Sequence, residues 1–205
     1  GYTGSFNLID PKFFKQNKKS KGEAVEIVKA SAEQTLFAEN ALEILSPIIE
    51  SFGFERIKTK IEKYSTQIIF KKENQYIKIS GSTYPTDYPY SYNLVLGEGD
   101  SESFPETDWN SIALWRLKKQ IEPNSEAKEY DFPYNEKVAF SIENAKDELI
   151  KVGITFLKGN LEEFYEARKE QNRNREPYKI HRKDSNGNYT TVFEKESSEV
   201  KNKYS

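Results

Sequence analysis

At Gly53 the spacing of apolar residues changes from steps of three and four to strict alternation, and this change limits what the chain can build. Before it, Phe37, Ala41, Leu42, Leu45, Ile48, Ile49 and Phe52 recur at helical spacing and form one wide apolar stripe. After it, Ile57, Thr59 and Ile61 alternate with Lys58, Lys60 and Glu62, and Ile68 and Phe70 alternate with Gln67 and Lys71. Ile77 and Ile79 then alternate with Tyr76 and Lys78, and Tyr90, Tyr92, Leu94 and Leu96 with Ser91 and Asn93. Successive side chains of a strand point to opposite faces, so each stretch carries one apolar and one polar side. That pattern belongs to an antiparallel sheet packed on one face and wet on the other. Glu73-Asn74 supplies a tight turn and Gly81 to Pro89 a longer loop, which makes a four-stranded meander the economical topology.

The flanks read mainly as helices. Asp10-Pro11 suits the start of a short lysine-rich helix (Lys12, Lys15, Lys18, Lys19, Lys21) within an N-terminal arm, residues 1–22. Helices are expected over Glu23 to Gln34 and Leu36 to Phe52, the second kinked or broken near Leu45 by Pro47. Another is expected from Thr107 or Asp108, with Trp109, Ile112, Ala113, Leu117 and Ile121 on one side. Val138, Ile142, Ala145, Leu149, Val152 and Phe156 mark the next, ending at Gly159, and Asn160 with Glu163 caps a third that Pro177 ends. Asn186-Gly187 signals a two-residue hairpin turn pairing Ile180 with Phe193 and Arg182 with Thr191. In that register Tyr178, Ile180, Tyr189 and Phe193 share a face and His181 lies on the other. The expected fold is α+β: a four-stranded antiparallel meander with helices on one face and a C-terminal β-hairpin. One domain covers residues 23–194 and a frayed polar tail covers 195–205.

Composition removes several chemistries. The 205 residues contain no cysteine, which excludes a disulfide framework, a thiol nucleophile and thiolate metal ligands. The single histidine, His181, rules out a two-His metal site in one chain, and its cationic neighbours Lys179, Arg182 and Lys183 mark it as a solvated surface residue. No methionine occurs, so the Gly1 start reads as processed and Gly1 to Ser5 stay outside the fold argument. A net charge of −2 predicts no polyanionic partner, and no stretch approaches the roughly 18 apolar residues of a membrane-spanning helix. Lack of cysteine suits a cytoplasmic location, and equally a protein exported and then trimmed of a leader.

Three groups of residues remain as candidate sites. Glu98, Asp100, Glu102, Glu106 and Asp108 place five carboxylates just after a strand end, suited to a basic partner or, alternatively, to Mg²⁺. Tyr84 and Tyr88 lie on a loop, where tyrosine supplies broad contact area with a hydrogen-bonding tip. Arg168, Arg173, Arg175, Lys179 and Arg182 form a basic stretch near Tyr165 and Tyr178, the raw material for gripping single-stranded nucleic acid. Asp184 to Asn188 resembles a cation loop in outline, but Tyr189 and Lys195 stand where a glycine and a closing glutamate are needed, so it reads as a turn.

The order of helix, Gly53-Phe54, and strands ending in Tyr90-x-Tyr92-x-Leu94 resembles the layout of small bacterial α+β proteins that neutralise toxins, the immunity type, over roughly Leu36 to Leu96. The resemblance carries no catalytic residue and implies a non-enzymatic, intracellular protein-binding module without cofactor. The acidic loop and the tyrosine loop together would face a basic protein. The alternatives are a Mg²⁺-dependent phosphodiester hydrolase using the same carboxylates, with Lys71 or Lys78 as an electrostatic aid, and a single-strand nucleic-acid binder using residues 168–183.

Overall fold

The structure is a computed structural model that describes residues 22, 24–101, 109–173, 175–177, 179–193 and 195–205. Its centre is the meander of β2 (Glu55–Glu62), β3 (Ser65–Lys72), β4 (Gln75–Ser82) and β5 (Ser91–Glu98), all antiparallel. The register aligns Ile68 with Ile79 and Leu94, and Phe70 with Ile77 and Leu96, so apolar rows run straight across one face. Glu73, with φ of 50°, makes the tight turn between β3 and β4. Long α1 (Ala32–Ser51) lies against this face and buries Phe37, Ala41, Leu42, Leu45 and Ile49, the stripe its spacing predicts. α3 (Lys137–Val152) packs beside it, burying Val138, Ile142, Ala145, Leu149 and Val152. Among the described residues no helix is long and apolar enough to cross a membrane.

The sheet is wider than the meander. The segment expected to open a helix at Glu23 instead forms β1 (Ala24–Val28), paired parallel to β2 with Ala24 opposite Lys58 and Val28 opposite Glu62. Val25, Ile27 and Val28 are β-branched and fit a pleated ladder better than a helix. α1 then acts as the crossover that a parallel pair requires. Its start is set by Ser31, whose side chain accepts a hydrogen bond from the Gln34 amide at 3.2 Å. Pro47 does not break α1, because Pro47 and Glu43 sit on its exposed side, where water can serve the Glu43 carbonyl that loses its donor. Gly53, at φ 88°, ends it.

A second correction concerns Ser111 to Ala113. The spacing places them inside a helix, yet they form β6 and extend the sheet beyond β5, with Leu96 opposite Ile112 and Val95 opposite Ala113. α2 begins only at Leu114 and runs to Ile121, which is exposed; Thr107 and Asp108 lie outside the described residues. Burial of Ile112 beside Leu96 satisfies either geometry, so periodicity over three residues does not separate them. β7 (Tyr130–Asp131) adds a short rung to β5 opposite Tyr92 and Ser91.

α4 (Ile154–Leu157) and α5 (Glu162–Arg173) follow, with Asn160 Oδ1 accepting from the Glu162 amide at 3.1 Å. β8 (Lys179–Lys183) and β9 (Tyr189–Phe193) pair antiparallel in a separate two-stranded sheet. Their register is one residue away from the expected one: Lys179 faces Phe193 and His181 faces Thr191. The cause is Asp184, whose Oδ1 accepts from the amides of Asn186 and Asn188 at 2.8 and 2.9 Å and organises a five-residue loop around Gly187. One step of slip reverses the faces, so His181 shares a side with Tyr189. Where composition suggests a frayed tail, residues Lys195–Tyr204 form α6, and Tyr204 is buried.

Candidate binding surface

Glu98 ends β5 and is already engaged. Its carboxylate receives Arg168 Nη1 at 2.7 Å, the Tyr165 hydroxyl at 3.1 Å and Asn74 Nδ2 at 3.2 Å. Burial, together with the Glu98 charge, pushes the Tyr165 phenol above its ordinary value. Arg168 is itself buried, its guanidinium 5.1, 5.0 and 4.8 Å from the ring centres of Phe164, Tyr165 and Tyr204. The carboxylate expected to meet a partner and the arginine expected to meet nucleic acid are therefore spent on each other. This pairing spans 70 positions, which no local pattern can show.

Asp100 is exposed, and its carbonyl accepts from Asn110 Nδ2 at 3.0 Å. Glu102, Glu106 and Asp108 lie outside the described residues. Among the described residues no three of His, Cys, Asp and Glu are grouped so as to hold a metal ion. Of the basic stretch, Arg173 is paired with Glu170 at 2.7 Å and Arg175 stacks over Trp109 at 4.5 Å. Lys179 and Arg182 belong to β8, and His181 is exposed there. The stretch is thus divided among a buried cluster, a helix end and a separate hairpin.

Tyr84 and Tyr88 are 43% and 79% exposed on the loop between β4 and β5. The loop is internally tied: Ser82 Oγ donates to Asp87 at 2.7 Å, the Asp87 amide to the Tyr84 carbonyl at 2.8 Å, and the Thr83 amide to the Tyr64 carbonyl at 2.8 Å. Tyr64 lies 5.4 Å from Tyr84 and Tyr90 lies 5.6 Å from Tyr88, ring centre to ring centre. This loop precedes β5 and Glu98 ends it, so a strand of eight residues, about 25 Å long, runs between the loop and Glu98.

The sheet face away from α1 provides what the sequence did not single out. Lys58, Ile69, Lys78, Val95 and Ala113 align in one row across it, and Lys60, Gln67, Ser80 and Asn93 in the next. Beside the tyrosine loop a groove of about 490 Å³ runs over Lys58, Lys60, Gln67 and Ser80 to Tyr84. Lys60 is held there between Glu62 at 3.0 Å and Glu26 at 4.0 Å, and its hydrogen bond to Glu62 raises its pKa.

Toward β6 the same face deepens into a second cavity of about 450 Å³. Lys78, Ser80, Asn93 and Ser111 rise from the strands, with Trp115 and Arg116 from α2, Gln171 from α5, and Arg175 closing it. Trp115 Nε1 and Asn93 Oδ1 are buried without a hydrogen-bond partner. In the sequence these residues are scattered over about a hundred positions, and only the alternation that put Lys78 and Asn93 on the polar face pointed here.

Comparison with protein-family models, with curated proteins and with solved structures returned no match.

Proposed function

We propose that this chain is a non-enzymatic protein-binding module that holds its partner through Tyr84 and Tyr88 and the groove beside them. The observation that carries this reading is the tied loop presenting Tyr88 at 79% exposure next to a concave polar floor. Aromatic anchors on a frame that loses little entropy on binding are the residues from which interfaces gain most. Lys58, Glu62 and Asp87 around the groove give mixed charge, which sets encounter and register more than affinity. An acidic contact patch for a basic protein loses support once Glu98 is bound to Arg168. The helix and meander layout that resembles immunity-type proteins fits a role in which occupancy itself is the effect, in a cytoplasmic setting.

The test is capture of a partner from an extract of the organism's own cells, quantified by mass spectrometry, with wild type against the Tyr84→Ala, Tyr88→Ala double variant. A partner retained by the first and depleted at least tenfold with the second supports the reading. Equal retention by both overturns it, provided the variant shows wild-type urea unfolding.

A further inference from the structure

The cavity at the β6 end of the open sheet face carries a separate conclusion that does not rest on the tyrosine loop. We propose that it is a binding site for a small hydroxylated oxyanion, a hydroxycarboxylate or a sugar phosphate.

Charge supplies the first part. Among the described residues, Lys78, Arg116 and Arg175 line the cavity with one carboxylate, Glu129, which is exposed. The chain as a whole is at −2, so this positive concentration is a property of the folded surface, not of composition. Guanidinium groups hold carboxylate or phosphate oxygens through paired donors, and partial enclosure strengthens each such contact. A volume of about 450 Å³ lies within the range of small-molecule sites.

The unsatisfied atoms supply the second part. Trp115 Nε1 is a donor without an acceptor, and Asn93 Oδ1 is an acceptor without a donor. Leaving such groups buried and unpaired costs stability, because each loses its hydrogen bonds to water and gains none in return. An anionic oxygen satisfies the indole, while a hydroxyl satisfies the amide oxygen, so a ligand carrying both repairs both. Arg116 lies over the Trp115 ring at 4.6 Å, which sets the indole beside a cation.

Trp115 is also the reporter. The chain has two tryptophans, and the other, Trp109, is fully buried. Wild-type protein is titrated with citrate and with ribose 5-phosphate, followed by tryptophan fluorescence and by calorimetry, with tricarballylate as the citrate analogue lacking the hydroxyl. Saturable binding of either ligand is expected. It should weaken at least tenfold in Arg116→Ala and with tricarballylate, stay unchanged in Tyr88→Ala, and lose its fluorescence signal in Trp115→Phe. Binding of citrate alone assigns the site to carboxylates, and of ribose 5-phosphate alone to phosphates. Absence of saturable heat with both ligands overturns the proposal, as does equal affinity in Arg116→Ala. Tricarballylate binding as tightly as citrate removes the hydroxyl from it. Arg116 is exposed, so its loss should spare the fold; if Arg116→Ala does not match wild type in urea, Arg116→Gln replaces it under the same criteria.

Discussion

Arg168 Nη1 lies 2.7 Å from Glu98 Oε2, joining α5 to the end of β5 with both side chains largely removed from water at 10% and 20% exposure. Truncating one member of such a pair strands the other. Arg168→Ala is expected to cost about 3 kcal/mol in urea unfolding. Arg168→Lys should recover only part, since an ammonium does not reproduce the flat stack on Phe164, Tyr165 and Tyr204. A cost below about 1 kcal/mol for the alanine variant would contradict the bridging role, because that is the range of exposed pairs.

Gly97 is required by contact. A Cβ there would stand 2.0 Å from the Tyr76 ring, whose hydroxyl donates to Asn110 Oδ1 at 2.8 Å. Gly97→Ala should destabilise by about 3 kcal/mol or more, at the upper end of overpacking costs. Gly97→Ala combined with Tyr76→Phe should be no better, because the ring itself is in the way. Thermal unfolding of the single and double variants checks both expectations.

Alkaline stability should fall in a defined window. Burial raises the Tyr92 phenol to about 12, outweighing the opposing effect of its side-chain hydrogen bond with the Ser141 hydroxyl, and burial with a Glu148 hydrogen bond raises Tyr130 as well. Both groups ionise in the unfolded chain near pH 10 and later in the folded one, so the folded state is the one that holds the protons longer. Their contribution is complete below pH 10 and declines above it, for Tyr92 at about 1.4 kcal/mol per pH unit until about pH 12. Urea midpoints at pH 9, 10 and 11 should drop accordingly, and Tyr92→Phe should lessen the slope.

The C-terminal helix is part of the folded unit. Asn172 Nδ2 donates to the Trp109 carbonyl at 2.8 Å and to the Tyr204 carbonyl at 3.1 Å, so α5, α6 and the segment before β6 share one buried amide. Tyr204→Ala is expected to cost about 3 kcal/mol by loss of a buried aromatic that also stacks on Arg168. By contrast, Tyr88→Ala, at an exposed position, should stay within about 0.5 kcal/mol of wild type. Unfolding curves that rank the two in the opposite order would refute the packing described for α6.

Much of the fold was legible because its signals are local. The alternation of Ile68 with Gln67 and of Ile77 with Lys78 foretold the meander and its two faces, and the spacing from Val138 to Val152 foretold α3. The departures occur where a short segment is apolar enough for either structure. Ala24 to Val28 and Ser111 to Ala113 became strands because an open sheet edge lay beside them, and α6 formed because Arg168 and Asn172 offered a place to dock. The hairpin slipped by one residue because a single carboxylate, Asp184, gathered more amides than a two-residue turn leaves room for.

For the candidate residues, exposure was legible on the tyrosine loop and charge pairing was not. Tyr84 and Tyr88 are exposed as a proline-punctuated loop suggested, while Glu98 and Arg168, each an apparent surface charge, neutralise each other in the interior. By itself the order of side chains determined the class of fold, the polarity of each sheet face and the chemistries that one histidine and no cysteine exclude. Only the tertiary structure decided which charges pair with each other and which polar atoms are buried without a partner. Backbone periodicity acts over a few residues, whereas desolvation and charge pairing depend on what the folded chain brings from far away.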